Sequence, residues 1–149
     1  MAAQENQEKI LILATEDCAY PGANAVGQAH MSYPENSYVM RVRAPVMFPE
    51  QFYLDCFNKG IYGIIIMSCG VECPYEGAYP VLASRVDKVY AMMRKQGLDP
   101  RRLRLTGVCT VCTKAFVKEV NQMNQLVMEL GPPGCQLSKK GSERLRWIR

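Results

Sequence analysis

Four times along the chain a short apolar run gives way to a stretch whose apolar residues recur at helical spacing. The clearest run is 62–68, Tyr-Gly-Ile-Ile-Ile-Met-Ser. It is too short for a helix and has no polar face, which is how a strand buried on both sides of a parallel sheet reads. Residues 9–15, 37–43 and 103–108 make three further strands, the second with only a weak alternation of Tyr38, Met40 and Val42. Between them lie helices. Residues 23–30 predict a short one built from small side chains able to pack close to a sheet, after a turn over 16–22. Pro49-Glu50-Gln51 opens the next: proline suits a first helical turn and glutamate favours the positive end of the dipole. Phe52, Cys56 and Phe57 share one of its faces, and Gly60 closes it. A long helix over 79–96 turns Val81, Leu82, Val86, Val89, Tyr90 and Met93 inward, and a last one over 113–130 does the same with Phe116, Val120, Met123, Leu126 and Val127. Gly131-Pro132-Pro133-Gly134 ends it.

Strand and helix alternating in this way imply parallel strands joined by right-handed crossovers. The expectation is an α/β chain with a flavodoxin-like three-layer sandwich and a four-stranded parallel sheet in the order 2-1-3-4. At 149 residues it is one domain, large enough to bury a core without disulfides. The domain spans 9–132, between a polar, disordered start at 1–8 and a basic tail over 133–149. No apolar run is long enough for a signal core or a membrane span, so a cytoplasmic location is expected.

Net charge is +4, and it is uneven. Lys139, Lys140, Arg144, Arg146 and Arg149 crowd the tail, opposed there only by Glu143, and Arg101, Arg102 and Arg104 form a second cluster. No nucleic-acid motif accompanies them, so solvated surface or protein docking is the reading preferred over nucleic acid. Hydrolytic and nucleotide motifs are absent: there is no G-x-S-x-G elbow, no P-loop and no G-x-G-x-x-G. The single histidine, His30, sits among small residues and reads as packed or exposed rather than catalytic.

The chemistry lies in cysteine. Cys69 and Cys73 follow the third strand, and Cys109 and Cys112 follow the fourth. In open α/β sheets, sites collect beyond the carboxyl ends of strands. Adjacent strand ends stand about 5 Å apart, so a C-x3-C and a C-x2-C pair would converge there. In a reducing compartment, thiols so placed are metal ligands or redox groups rather than structural disulfides. Four thiolates suit tetrahedral iron or zinc, and a redox dithiol is the competing use of the same spacing. Cys18, after the first strand, belongs to the same edge as a fifth thiol or as a replacement. Cys56 reads as core and Cys135 as a bystander in the tail.

These residues, in order, resemble a known family. Cys18-Ala19-Tyr20-Pro21-Gly22-Ala23-Asn24, Arg41-Val42, Phe57-Asn58-Lys59-Gly60, the Cys69/Cys73 pair before Tyr75-Glu76-Gly77, and Gly97-Leu98-Asp99-Pro100-Arg101-Arg102-Leu103-Arg104-Leu105 are similar to the small iron–sulfur (delta) subunit of methyl-viologen-reducing hydrogenases, the partner of heterodisulfide reductase. The resemblance covers 9–132. It departs at Thr15 and Ala44, where the family usually has cysteine, at the shortened Cys69–Cys73 spacing, and at Cys109 and Cys112, where the family usually has none.

The resemblance implies a [2Fe–2S] cluster, relocated here toward Cys69, Cys73, Cys109 and Cys112 with Cys18 nearby. It implies an electron-transfer subunit without bond chemistry of its own. Such a subunit relays single electrons between a hydrogenase, formate dehydrogenase or similar oxidoreductase and a heterodisulfide-reductase-like flavoprotein. The alternative is a structural or adaptor subunit with a zinc site or free thiols. A dithiol oxidoreductase is a third reading.

Overall fold

The computed structural model describes residues 8–68 and 77–133. The disordered start and most of the basic tail expected from sequence, with Cys135, lie outside the described residues, as do Cys69 and Cys73. Four strands, β1 (Ile10–Thr15), β2 (Ser37–Val42), β3 (Gly63–Ser68) and β4 (Leu103–Gly107), form one sheet in the order β2-β1-β3-β4. Every pairing is parallel, with Leu13 opposite both Met40 and Ile66, and Ile66 opposite Leu105. Four helices cover it: α1 (Ala19–Gln28), α2 (Glu50–Asn58), α3 (Ala78–Gln96) and α4 (Thr113–Leu130).

The period-two alternation of strand side chains divides the core into two layers. Leu11, Leu13, Ile64, Ile66 and Leu103 face one side and pack on Tyr53, Leu54 and Phe57 of α2 and on Leu82, Val86, Val89 and Met93 of α3. Ile10, Ile12, Ala14, Ile65 and Met67 face the other and pack on Ala19 and Val26 of α1 and on Phe116, Val120, Met123 and Val127 of α4. β1 and β3 are therefore buried along their whole length, which is why neither shows a polar face. β2 lies at an edge, so Tyr38 and Met40 stay 48% and 43% exposed. That position explains the weak alternation of its sequence.

Local sequence explains most element ends. Pro49 caps α2, and Gly60 follows it in the left-handed region at φ 97°. Gly97, at φ 78°, closes α3 by donating its N–H to the Arg94 carbonyl. Gly63 lets α4 approach: a Cβ there would stand 2.8 Å from Met123 Sδ and 2.9 Å from Val127 Cγ1.

Three expectations change. α1 begins at Ala19, not at residue 23, because Pro21 falls in the first turn, where a missing N–H costs nothing. Val81 is 52% exposed rather than inward, while Leu82 on the next position is buried. Arg102 is not a surface cation: it is fully buried, and its Nη1 donates to the Tyr62 carbonyl at 2.9 Å while its Nη2 donates to the Gly131 carbonyl.

Candidate functional site

The switch point of this sheet lies between β1 and β3, where the chain leaves for β2 on one hand and for β4 on the other. Ligands of open α/β sheets bind in the crevice at such a point. β1 ends at Thr15, β3 at Ser68 and β4 at Gly107, and the Val108 N–H extends the ladder by bonding the Ser68 carbonyl at 3.0 Å. Each strand end is followed by cysteine, at Cys18, Cys69 and Cys109.

Cys18 and Cys112 occupy equivalent places. Each is the N-cap of a helix, α1 and α4 respectively, and both helices lie on the same face of the sheet. The Cys18 carbonyl accepts the Gly22 N–H at 3.2 Å, and the Cys112 carbonyl accepts the Phe116 N–H at 3.0 Å. Cys109 begins the tight turn into α4, its carbonyl accepting the Cys112 N–H at 3.2 Å. The two helix starts meet: a Cβ on Gly22 would be 3.0 Å from the Cys109 carbonyl oxygen. Glycine eases that close approach, so the sequence Cys18-Ala19-Tyr20-Pro21-Gly22 brings one cysteine-bearing turn against the other.

Thr15 and Ala44, at the two positions where the resemblance leads one to look for sulfur, are both buried. The Thr15 hydroxyl accepts the Ala19 N–H at 3.4 Å and so serves the start of α1. Neither helix start carries an acidic residue in its first turn, and α4 has no side-chain cap. The orphan N–H groups there leave partial positive charge, which favours anionic sulfur. At the rim Arg41 pairs with Glu16, and its guanidinium carbon stands 5.6 Å from the centre of the Tyr20 ring.

The oxidation state differs from the free-thiol picture. Cys109 and Cys112 are joined in a disulfide, with Cα atoms 5.2 Å apart, and the Cys18 sulfur is disulfide-bonded as well. No group of three or more His, Cys, Asp or Glu side chains able to hold a metal occurs among the described residues. Thiolate sulfur is the right donor for iron–sulfur chemistry, and three of the five candidate sulfurs lie on one edge. The donors therefore fit such a cluster only with Cys18, Cys109 and Cys112 reduced, and with others drawn from Cys69 and Cys73.

The remaining candidates fall away from this edge. Cys56, a free thiol, sits in α2 on the opposite face, packed against that core, and burial pushes its pKa up. His30 follows α1 as an exposed residue with φ 52°. The Arg101–Arg104 cluster is largely spent internally. Arg101 chelates Asp99, holding its carboxyl below the usual range, and Arg104 pairs with Glu119 at 2.8 Å. Sequence reasoning missed the Gly22–Cys109 approach. Its signal was the small-residue run after Cys18, which the expected turn hid.

Residues 10–131 match the family model described as methyl-viologen-reducing hydrogenase, delta subunit. The chain is 26% identical over 132 residues to the iron-sulfur subunit of the F420-non-reducing hydrogenase of Archaeoglobus profundus, covering 87% of this chain and 96% of that one. It is 25% identical over 138 residues to the iron-sulfur subunit of the F420-non-reducing hydrogenase vhc of Methanococcus voltae, covering 92% and 94%. It is also 26% identical over 124 residues to one subunit of the ferredoxin:CoB-CoM heterodisulfide reductase of Methanosarcina mazei. That alignment covers 83% of this chain but only 16% of the relative's length.

Proposed function

Because the chain belongs to the methyl-viologen-reducing hydrogenase delta subunit family, we propose that it is an electron-transfer subunit of a redox complex, linking an oxidoreductase such as a hydrogenase to a heterodisulfide-reductase-like flavoprotein. The observation that carries this reading is the meeting of the Cys18 and Cys109 turns across Gly22 at the carboxyl edge of the sheet. The hydrogenase iron-sulfur subunits that this chain matches nearly end to end support it, as does a heterodisulfide reductase subunit that carries a similar segment.

A [2Fe–2S] cluster bound there would take up and release one electron at a time. Its donors in this chain would be Cys69, Cys73, Cys109 and Cys112, with Cys18 at hand. The protein's own part is placement. α1 and α4 begin at Cys18 and Cys112, which puts their positive ends beside those two residues, and Gly22 brings the two turns together. Ala14, Met67 and Val108, near the same strand ends, belong to the apolar core layer against which Cys112 packs. The reading places the protein in the cytoplasm, and no helix among the described residues is long and apolar enough to cross a membrane.

The test uses the full chain purified without oxygen, reduced with a phosphine, and supplied with ferrous iron and sulfide. The account expects a brown protein whose visible absorption bleaches with dithionite. A colourless chain that takes up zinc instead would replace the electron relay with an adaptor role.

A further inference from the structure

We infer that Cys109 and Cys112 form an exchange-active disulfide, a thiol–disulfide centre that takes two electrons from a thiol or dithiol reductant. The inference stands apart from any iron chemistry, because it concerns the pair in its bonded state. Three features of the turn carry it. The two cysteines are joined to each other across two residues, so the bond closes a loop too small to brace the fold; β4 and α4 on either side are held by the ladder and by the core. The two cysteines also differ in exposure. Cys109 is exposed, whereas Cys112 is half-buried and packed against Phe116 and its neighbours in the core. Finally, Val111, between them, is 83% exposed, an apolar contact beside the bond for whatever delivers the attacking thiolate.

The access difference sets the direction of attack. A thiolate R–S⁻ approaches in line with the S–S bond and strikes the exposed Cys109 sulfur. The Cys109–Cys112 bond breaks as the new bond to R–S forms. Cys112 leaves with the electron pair as a thiolate and takes a proton from solvent. It departs at the N-cap of an 18-residue helix whose first turn has no acidic side chain and holds Lys114. Uncapped N–H groups there make Cys112 the better leaving group. A second R–S⁻ then attacks the R–S sulfur of the mixed disulfide, releasing R–S–S–R and the Cys109 thiolate, which is protonated in turn. Two thiols have given two electrons and two protons to the chain. Run in reverse, R–S–S–R re-forms the Cys109–Cys112 bond by the same two exchanges and leaves as two R–SH, and the bonded sulfurs are withdrawn from any metal.

The experiment maps thiols on the intact chain purified in air. The protein is exposed to reduced glutathione, quenched with N-ethylmaleimide and digested for mass spectrometry. The expected result is a Cys109–Cys112 crosslink before reduction and, during it, a glutathione adduct on Cys109. The Cys112→Ser variant is expected to form that adduct with oxidised glutathione about tenfold faster than Cys109→Ser forms one on Cys112. If Cys109 and Cys112 are alkylated without reductant, or if glutathione is found first on Cys112, the inference is overturned. Neither readout involves iron, so a failed cluster assignment leaves this test intact and the reverse.

Discussion

Arg102 shows how far a residue's role can lie from its appearance in the sequence. Beside Arg101 and Arg104 it reads as part of a basic patch, yet it is fully buried and holds the carbonyls of Tyr62 and Gly131. It thereby ties the residue that leads into β3 to the residue that ends α4. Burial lowers its pKa while the Asp99 carboxylate opposes that shift. Replacing it with methionine would keep the volume and strand both carbonyls, at about 1–3 kcal/mol each. A urea midpoint unchanged in Arg102→Met would refute this. Tyr53 makes a second case. Its hydroxyl is buried with no hydrogen-bond partner among the described residues, and desolvation, opposed by Arg85, raises its pKa to about 12. The unfolded chain loses that proton near the ordinary value of 10.0, so between these values the native state binds more protons than the unfolded one. Stability must therefore fall as pH rises from 10.0 to about 12. Tyr53→Phe is expected to flatten that decline, as unfolding curves across the interval would show; an unaltered slope would count against it. None of this burial is legible at one position, because a buried arginine and a surface arginine are the same letter.

At the scale of elements the sequence is far more explicit. β1 and β3 announce themselves as unbroken apolar runs because both faces are covered, and α4 matches its expected bounds because its apolar stripe, Phe116, Val120, Met123 and Val127, points one way. The start of α1 was hidden because Pro21-Gly22 signals a turn as readily as a first helical turn, and only the tertiary context chooses. The site was half legible for the same reason. Cysteines after apolar runs are visible in the letters, but the contact of Gly22 with Cys109 joins positions far apart in the chain, and no local pattern encodes it. Gly63 is the corresponding device at the opposite end of β3, where α4 lies directly on the strand. Gly63→Val would drive Met123 and Val127 outward and cost about 1–3 kcal/mol. Thermal unfolding should show the loss, and Met123→Ala in the same chain should recover part of it. A neutral Gly63→Val would mean that α4 does not seat this closely.

The whole molecule is a doubly wound sheet whose switch point carries sulfur where nucleotide-binding folds carry a phosphate loop. Its relatives include chains that match it almost end to end and a heterodisulfide reductase polypeptide of which it covers 16%. The same unit thus occurs both on its own and as a segment within a larger chain. In this chain the Cys109–Cys112 pair follows β4, while Thr15 at the end of β1 and Ala44 just after β2 are both buried. The proposed cluster draws on the cysteines that follow β3 and β4. The most direct measurement is the EPR spectrum of the anaerobic, reduced full chain compared with Cys18→Ser and Cys109→Ser. The account predicts a one-electron cluster signal that survives Cys18→Ser and is lost in Cys109→Ser. A signal that persists in Cys109→Ser, or no cluster signal in the unaltered chain, would contradict it.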